Sequence, residues 1–269
     1  MIKILKSILG YNLAFRLADW RKAWIPNKLQ VSIKQNEKNE RAKRERFYSS
    51  FIKNGDLCFD VGANLGNRVA PLLTLGAKVV AVEPQEYCYK YLEYKFGKKI
   101  QIVNKGLDEA DSIQDFNISK HNVYSSFSTD WINSVKDGRF KGVDWDEVIK
   151  VKMTTLDNLI AEFGLPDFIK IDVEGYELKV LKGLSRPVKM ISFEFTVPEQ
   201  TAKAIACIDR IEKIDQDIEC NFSIGESMEF ALENWISVTD IRKKIISDKF
   251  TAIGFGDIYV RNRTLHSSS

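Results

Sequence analysis

The fold of this chain is decided by the stretch Leu57-Cys58-Phe59-Asp60-Val61-Gly62-Ala63-Asn64-Leu65-Gly66-Asn67. Its apolar run predicts a buried strand that breaks into a glycine turn, and the turn opens a helix. Glycines allow tight turning and a close approach of the backbone to a ligand. The following helix offers free N–H groups and the positive end of its dipole to an anionic group. The stretch therefore predicts a site for a nucleotide-like cofactor in a doubly wound α/β fold.

Two side chains of this stretch discriminate between cofactors. Asn64 stands where a dinucleotide-binding turn has its second glycine, and Asp60 places a carboxylate where it would repel a pyrophosphate, so NAD and FAD are disfavoured. A cofactor with an amine and a sulfonium suits this carboxylate, and the cofactor's own carboxylate can bind the N–H groups of the turn. S-adenosylmethionine (SAM) has these groups. The alternative is a plain strand–turn–helix in which Asn64 is only a helix N-cap.

A second acidic residue supports the same cofactor. Glu83 ends the apolar run Lys78-Val79-Val80-Ala81-Val82-Glu83-Pro84, about 20 residues beyond the turn, where dinucleotide-binding folds place an acid on the ribose hydroxyls. A carboxylate accepts two hydrogen bonds from a diol, and SAM has a ribose diol. We therefore expect Glu83 to bind the ribose; the alternative is a solvated acid at the end of a strand.

Two further carboxylates follow a third apolar strand. Asp172 and Glu174 come directly after Phe168-Ile169-Lys170-Ile171, at the strand end where ligands bind in open α/β sheets. Residues two apart in an extended chain point to the same side, so both acids are expected to face one cleft. Two neighbouring carboxylates disfavour double ionisation, which raises the pKa of one and suits it to accept a proton near neutral pH. The alternative is that Asp172 only orients a ligand and Glu174 caps the next helix.

The rest of the chain alternates strands with helices, which predicts a parallel sheet with right-handed crossovers. The loop at residues 104–107 is expected beside the adenine, with Gly106 and Leu107 at the cofactor. The predicted helices are 67–75, 86–96, 158–163, 177–181 and 199–215, and the predicted strands are 100–103, 151–153, 190–195, 221–224 and 255–260.

Residues 108–150 form a long polar insert between predicted core elements. A segment of this length is usually functional or disordered, and its aromatic residues favour order. We interpret it as a cover on the substrate side of the cleft; the alternatives are a structural flap or a contact between subunits of a homo-oligomer. Its aromatic residues are Tyr124, Phe127, Trp131, Phe140 and Trp145.

Charge divides the 269-residue chain into a basic extension, residues 1–50, and a catalytic domain, residues 51–269. The extension holds 12 Lys and Arg against 4 Asp and Glu, a balance of +8, so that the formal net charge of +3 leaves −5 for the domain. Apolar residues at helical spacing predict a basic amphipathic helix over residues 2–24, too interrupted by charge to span a bilayer. Such a helix docks on the body, on a partner subunit or on an anionic membrane surface.

The cysteines are scattered without CxxC spacing. This spacing argues against disulfides and zinc, and it predicts reduced thiols in a cytoplasmic protein. Peripheral contact of that protein with a membrane is left open. The sequence has only two histidines, so a His-rich metal site is excluded and no metal ligand is assigned; whether a divalent metal assists is left open. The cysteines are Cys58, Cys88, Cys207 and Cys220.

Taken together, four stretches of the chain resemble the FkbM family of SAM-dependent methyltransferases, and the resemblance extends from about residue 50 to about residue 262. The four stretches are the glycine turn, Val82-Glu83-Pro84, Thr155-Leu156-Asp157 and the block Lys170–Gly183. The resemblance implies a class I methyltransferase fold, a seven-stranded, mostly parallel sheet with helices on both faces and an antiparallel last strand. It also implies O-methylation of a hydroxyl on a sugar, a polyketide or a similar metabolite. The residues that it implies around the methionine part, the ribose and the rest of SAM are Asp60, Gly62, Ala63, Asn64, Gly66, Asn67, Glu83, Pro84, Ser125 and Ser126.

Three other functions are less consistent with the sequence than O-methylation. An RNA methyltransferase would use the basic extension to bind phosphates, but the basic residues alternate with apolar ones and no exposed aromatic cluster lies beside them, so nucleic acid is disfavoured as a partner. A nicotinamide-dependent oxidoreductase is disfavoured by Asp60 and Asn64. A non-catalytic scaffold is disfavoured because the acids at the strand ends are all present. These acids are Asp60, Glu83, Asp172 and Glu174. The acceptor and the oligomeric state are left open.

Overall fold

The computed structural model describes residues 10–22, 27–119 and 124–267. Residues 1–9, 23 and 24 of the predicted amphipathic segment lie outside these ranges, as do residues 120–123 of the insert. The strands are β1 (Leu57–Val61), β2 (Lys78–Val82), β3 (Gln101–Val103), β4 (Gly106–Leu107), β5 (Ile113–Ile118), β6 (Glu147–Thr154), β7 (Phe168–Ile171), β8 (Met190–Thr196), β9 (Ile218–Ile224) and β10 (Phe255–Asn262).

The helices connect and cover these strands. A single 3-10 turn, Gly97–Lys99, precedes β3. The α-helices are α1 (Tyr11–Lys22), α2 (Asn27–Tyr48), α3 (Val69–Thr74), α4 (Glu86–Phe96), α5 (Thr129–Val135), α6 (Leu156–Phe163), α7 (Glu177–Lys182), α8 (Thr201–Ile214), α9 (Val238–Ile245), α10 (Asp248–Thr251) and α11 (Arg263–Ser267).

Seven strands form one sheet in the order β3-β2-β1-β7-β8-β10-β9. The pairs from β3 to β8 are parallel, and β10 runs antiparallel to both of its neighbours, β8 and β9. This confirms the predicted class I methyltransferase architecture with an antiparallel last strand. The carboxyl ends of β1, β2 and β7 therefore meet at one edge, where the predicted site residues are attached.

Both faces of the sheet are buried, which explains why its central strands read as continuous apolar runs. Alternate residues of β1 point to opposite faces: Phe59 packs in the core that includes α6, α8 and α9, and Cys58 packs in the core that includes Phe47 and Tyr48 of α2. All four cysteines are buried free thiols. No helix among the described residues is both long enough and apolar enough to cross a membrane.

The basic extension packs aromatic side chains on the body at the end of α2 and on α1. At the end of α2, Phe47 and Tyr48 are 6% and 1% exposed, and the Phe47 ring lies 5.4 Å from that of Tyr259 on β10. On α1, Phe15 is 2% exposed and packs at ring distances of 5.3–5.5 Å against three tyrosines of α4. The described part of the N-terminal segment therefore packs on the body of the protein.

The insert is more regular than its polarity suggested. The predicted strand 151–153 is only the end of β6, which begins at Glu147 and pairs antiparallel with β5. The strands β4, β6 and β5 form a second, three-stranded sheet. Helix α5 buries Trp131 (1% exposed) and Val135 (0%) in a small core of its own. In the first half of β6, Glu147, Val148 and Lys150 are exposed and Ile149 is partly buried, so the hydrophobic pattern there is weak.

Three other helices differ from expectation. Helix α3 starts at Val69, with Arg68 as its N-cap, rather than at residue 67, a difference of two residues at a helix end. Helices α9 and α10 were not predicted from the sequence. They follow the loop after β9 and pack Ile241, Ile245 and Phe250 into the main core.

Candidate active site

A cavity of about 200 Å³ opens at the carboxyl ends of β1, β2 and β7. This is the edge at which open α/β sheets bind ligands. It collects residues from the glycine turn, the end of β2, the insert and the turn after β7. The predicted site residues that line it are Gly62, Ala63, Asn64, Asn67, Glu83, Pro84, Gly106, Leu107, Ser125, Asp172 and Glu174. Asp60, Gly66 and Ser126 lie behind this lining.

The glycine turn has no room for side chains. Gly62 has φ +84, and a Cβ atom there would lie 1.9 Å from the backbone oxygen of Asp172. Gly66 supports the turn from behind, since a Cβ atom there would lie 2.4 Å from the Phe96 ring. The N–H groups of Gly62 and Ala63 donate to the Val82 carbonyl at 3.0 and 3.1 Å. The turn is thus a backbone cradle fixed between β2, β7 and α4.

Glu83 ties the glycine turn to the end of β2. Its Oε2 accepts from the Asn64 N–H at 2.8 Å, and its Oε1 accepts from the Gln85 N–H at 2.7 Å. Burial raises the pKa of Glu83 to about 7, although the two backbone hydrogen bonds act in the opposite direction. Each carboxylate oxygen has a second lone pair, so Glu83 can hold the turn and still accept hydrogen bonds from a ribose diol.

Asp60 is a buried carboxyl group without a hydrogen-bond partner. It is 1% exposed, and neither carboxyl oxygen is hydrogen-bonded to any described residue. Burial raises the pKa of Asp60 to about 6, with Arg68 lowering it and Asp172 raising it. Unpartnered buried carboxylates are costly and therefore rare. An ammonium group such as the amine of SAM would satisfy these oxygens, so Asp60 and the Gly62 cradle together fit this cofactor.

Three carboxyl groups, two from the turn after β7 and one from β8, converge on the cavity. Oxygen atoms of Asp172, Glu174 and Glu194 all lie within 4.8 Å of one another. Asp172 pairs with Arg68 at 2.8 Å and faces the buried Lys170 ammonium at 3.7 Å. Burial favours the neutral form of Asp172, but Lys170 and Arg68 outweigh it, and the pKa of Asp172 lies below its usual value.

The other two acids behave differently. Burial, reinforced by the charge of Asp172, raises the pKa of Glu174 and that of Glu194 well above the usual range. Glu174 also has a left-handed backbone, φ +52, at the start of the turn that Gly175 continues. One acid is therefore held as an anion while its two neighbours bind protons more tightly, which is an arrangement suited to proton transfer.

The charge of Asp172 depends on a buried lysine. Lys170 is 1% exposed and pairs with Asp257 of β10 at 2.5 Å. The carboxylates of Asp257 and Asp172 overcome the effect of burial, so the pKa of Lys170 is raised and its ammonium stays charged. Asp257 on the last strand is thus the counter-ion that keeps the Lys170 ammonium charged beside Asp172.

The three acids are also the described residues whose geometry fits a metal ion. Carboxylate oxygens suit a hard divalent cation such as Mg²⁺. However, Arg68 and Lys170 already stand beside Asp172 and supply positive charge to the group. The charges of Arg68 and Lys170 therefore make a bound cation unnecessary for the three acids to lie together.

The insert contributes the wall that faces the acids. Ser125 lines the cavity and its Oγ accepts from the Ser119 N–H at 3.0 Å. Ser126 is fully buried; its Oγ donates to the Glu174 carbonyl at 2.7 Å and so fixes the turn that carries this acid. The aromatic rings at the cavity are those of Phe116, Phe127 and Tyr176, with Phe127 4.3 Å from Phe116 and 5.4 Å from Tyr176.

Four of the five predicted aromatic residues of the insert lie away from the cavity. Trp131 packs in the core of the insert with Tyr124, Phe140 and Trp145. A Cβ atom at Gly175 would lie 2.5 Å from the Trp131 side chain, so Trp131 supports the turn that carries Glu174 from behind.

Several residues of the site were not singled out from the sequence. Arg68 follows the glycine turn directly, and Glu194 is an acid inside a buried apolar strand, a signal that the sequence does contain. Glu226 lies in the loop after β9, where nothing in the local sequence marks it. All three line the cavity.

A family model for the FkbM methyltransferase domain matches residues 60–231 of the chain. The chain is also similar to a precorrin-6y C5,15-methyltransferase from Geobacter metallireducens, at 10% identity over 81% of this chain and 86% of that one (TM-score 0.42). A TehB-like SAM-dependent methyltransferase from Corynebacterium glutamicum is similar at 11% identity over 88% and 100% (TM-score 0.44). A SAM-dependent O-methyltransferase from Thermotoga maritima is similar at 12% identity over 88% and 72% (TM-score 0.39). No curated protein matches the sequence.

Proposed function

Because the chain belongs to the FkbM family of SAM-dependent methyltransferases, we propose that it transfers the methyl group to a hydroxyl of a sugar, a glycan or another small metabolite. The observation that carries this proposal is the group of three carboxyls, Asp172, Glu174 and Glu194, beside the glycine turn in one cavity. A hydroxyl loses its proton when it is methylated, and a positioned carboxylate is a suitable acceptor for that proton.

The cofactor is assigned to the half of the cavity formed by β1 and β2. When bound, SAM supplies an electrophilic methyl group on its sulfonium. Asp60 binds the amine, and Glu83 accepts hydrogen bonds from the ribose hydroxyls. The residues that complete this half are Gly62, Ala63, Asn64, Gly66, Asn67, Pro84, Gly106, Leu107, Ser125 and Ser126.

Within the acid group we assign different roles to the two predicted catalytic residues. Asp172 stays ionised because Arg68 and Lys170 flank it, and it fixes the orientation of Arg68. Glu174 accepts the proton of the acceptor hydroxyl as the new carbon–oxygen bond forms. The remaining acceleration comes from holding the acceptor oxygen in line with the methyl group.

The acceptor is assigned to the space between the acids and the insert. The rings of Phe127 and Tyr176 offer flat apolar faces at the cavity, and the carboxyl groups opposite them can accept hydrogen bonds from neighbouring hydroxyls. A sugar ring presents both an apolar face and a row of hydroxyls, so this combination favours a sugar over a purely apolar acceptor.

A labelled-methyl transfer screen tests the proposal. Purified full-length protein is incubated with SAM carrying a labelled methyl group and with free sugars, sugar acids, sugar phosphates, lipid-linked glycans or RNA. We expect label in an alkali-stable methyl ether of a sugar-containing acceptor. Label in RNA alone, or in a nitrogen or carbon position, would contradict the proposal.

A further inference from the structure

Two guanidinium groups converge on the Glu226 carboxylate at the mouth of the cavity, and a lysine contacts the backbone of the same residue. Arg44 of α2 lies 3.3 Å from Glu226, and Arg68 lies 3.6 Å from its other oxygen. The Lys43 ammonium donates to the Glu226 backbone carbonyl at 2.8 Å. We call these four residues the Glu226 cluster. Arg68 and Glu226 line the cavity, so the cluster is continuous with the acceptor space.

Glu226 is held loosely in this cluster. Its side chain is 52% exposed, and both ion-pair distances exceed those of charge-assisted hydrogen bonds, which are about 2.7–2.9 Å. The Arg68–Asp172 pair at 2.8 Å is of that stronger kind. Exposed pairs with long distances contribute little to stability. An incoming anion can therefore displace the Glu226 carboxylate without breaking a strong interaction.

Both guanidinium groups of the cluster have unused donors. The Nε atoms of Arg44 and Arg68 are buried and have no hydrogen-bond partner among the described residues. Guanidinium groups bind carboxylates and phosphates through pairs of parallel N–H donors. A carboxylate that lies closer to the two guanidinium groups than Glu226 does, or a phosphate with its additional oxygens, can accept hydrogen bonds from the Nε donors that Glu226 does not use.

We propose that Arg44 and Arg68, with the Lys43 ammonium beside them, bind an anionic group of the acceptor, a carboxylate or a phosphate, in the place that the Glu226 carboxylate takes in this structure. The inference rests on the proposed function and narrows its substrate to a hydroxylated molecule that carries an anionic group. A sugar acid and a sugar phosphate are the two sources of that chemistry.

The position of the cluster explains how such an anion orients the acceptor. One guanidinium nitrogen of Arg68, Nη2, faces both the Asp172 carboxylate and Glu226. An anion in the place of Glu226 would therefore contact the same Arg68 guanidinium group that contacts Asp172. The other acid near the cluster is Glu40, 3.9 Å from Arg44.

The cluster has one competing occupant, the carboxylate of SAM itself, because Arg68 follows the glycine turn. Lys43 and Arg44 come from α2, outside the turn, so their variants distinguish the two ligands. A cofactor role predicts loss of SAM affinity in Arg44→Gln. An acceptor role predicts that SAM affinity is kept and anion affinity is lost.

The binding test is calorimetry on the full chain saturated with S-adenosylhomocysteine, at constant ionic strength, with inorganic phosphate, glucose 6-phosphate, glucuronate and glucose as probes. We expect at least one anionic probe to bind and glucose to bind more weakly. Lys43→Gln and Arg44→Gln should weaken that probe about tenfold or more, which corresponds to the loss of one charged hydrogen bond. Glu226→Gln should tighten it, because the competing carboxylate is removed.

The matched control is Arg41→Gln. Arg41 lies on the same helix and contacts Glu45 and Thr74 instead of the cluster, so anion affinity should stay at the wild-type value. Circular dichroism confirms that each variant is folded. Absence of anion binding in both wild type and Glu226→Gln would overturn the proposal, as would an equal effect of Arg41→Gln and Arg44→Gln.

The methyl-transfer screen separates this proposal from the proposed function. Transfer to neutral sugars only, with sugar acids and sugar phosphates unmodified, overturns the anion site and leaves O-methylation intact. Anion binding with the expected variant pattern, but no transfer to any hydroxyl, overturns O-methylation and leaves the anion site intact.

Discussion

The backbone oxygen of Asp172 lies 1.9 Å from the point that a Cβ atom of Gly62 would occupy. The turn after β1 and the turn after β7 are therefore in direct backbone contact. The Asp172 N–H also donates to the Val61 carbonyl at 2.9 Å. A change in the shape of the glycine turn is consequently transmitted to the acids across a single contact.

Gly62→Ala should impair both the stability and the cofactor affinity of the protein. A non-glycine residue at φ +84 costs about 1–3 kcal/mol, and the clash with Asp172 adds to this cost. Urea denaturation and calorimetry with S-adenosylhomocysteine measure the two effects. Gly55→Ala is the matched control, because Gly55 has φ +92 and no neighbour within 4 Å of its Cβ position. Equal losses in both variants would show that the contact with Asp172 is unimportant.

Asp60→Asn should weaken SAM binding and change the pH dependence of stability. Loss of a charged hydrogen bond to the amine costs about 1.5–3 kcal/mol of binding free energy. In the SAM-free protein, burial raises the pKa of Asp60 to about 6, above the unfolded value of about 3.9. Its contribution to stability is therefore fully present below about pH 4 and is lost as the pH rises through 6.

The variant lacks this titration, so its free energy of unfolding relative to wild type should increase by about 2–3 kcal/mol between pH 4 and pH 8. Denaturation of both proteins across that range provides the measurement. A difference that does not vary with pH would mean that Asp60 does not titrate in the folded protein.

Glu174→Gln should reduce turnover about 10²–10⁴-fold while SAM affinity is kept, since a general base contributes that much. Turnover of the wild type should rise with pH up to the raised pKa of Glu174, because the base has to be ionised. Glu194→Gln, measured in parallel, shows whether the neighbouring carboxyl takes the same proton. Wild-type turnover in Glu174→Gln would exclude it as the base and leave alignment of the substrates as the source of acceleration.

Metal removal should leave the reaction unchanged. Arg68 and Lys170 supply positive charge beside Asp172, so the acids do not need a cation to coexist. Turnover is measured after dialysis against EDTA and again with added Mg²⁺ or Mn²⁺. Loss of turnover on chelation with recovery on addition of a single metal would contradict this expectation and assign the ion to the three carboxyls.

Deletion of residues 1–24 should leave cofactor affinity at the wild-type value. The described part of this segment packs through Phe15 on α4, on the outside of the domain, and not at the cavity. Calorimetry with S-adenosylhomocysteine and sedimentation with vesicles of anionic lipid separate the possible roles of the segment. Reduced vesicle binding with unchanged affinity would support membrane docking, whereas a loss of affinity in a folded variant would make the segment part of the cofactor site.

The parts of the site that could be predicted are those specified by local sequence. The glycine turn and Glu83 each follow a short apolar strand, and the parallel arrangement alone brings their strand ends together. The Lys170–Asp257 pair joins residues 87 positions apart, and its formation depends on β10 entering between β8 and β9. No local pattern contains that information.

Glu226 illustrates the same limit more strongly. It is separated from Arg44 by 182 residues, and its own surroundings in the sequence are those of an ordinary loop. The first half of β6 was missed for a different reason, because its side chains face solvent on one side and the periodic signal is weak. Arg68 and Glu194 were visible in the sequence as charged residues beside apolar runs, but their pairing with Asp172 required the tertiary structure.

The position of β10 has a consequence for how the enzyme is made. Among the strands described, β10 is the last to leave the ribosome, yet it fits between two strands that precede it. Until it arrives, β8 and β9 both have open edges, and Lys170 has no Asp257 beside it. A chain that lacks β10 therefore has exposed strand edges, and its Lys170 lacks the nearer of two carboxylate partners, keeping only Asp172. The ion pair beneath the acids thus forms only after β10 has been synthesised and inserted between β8 and β9.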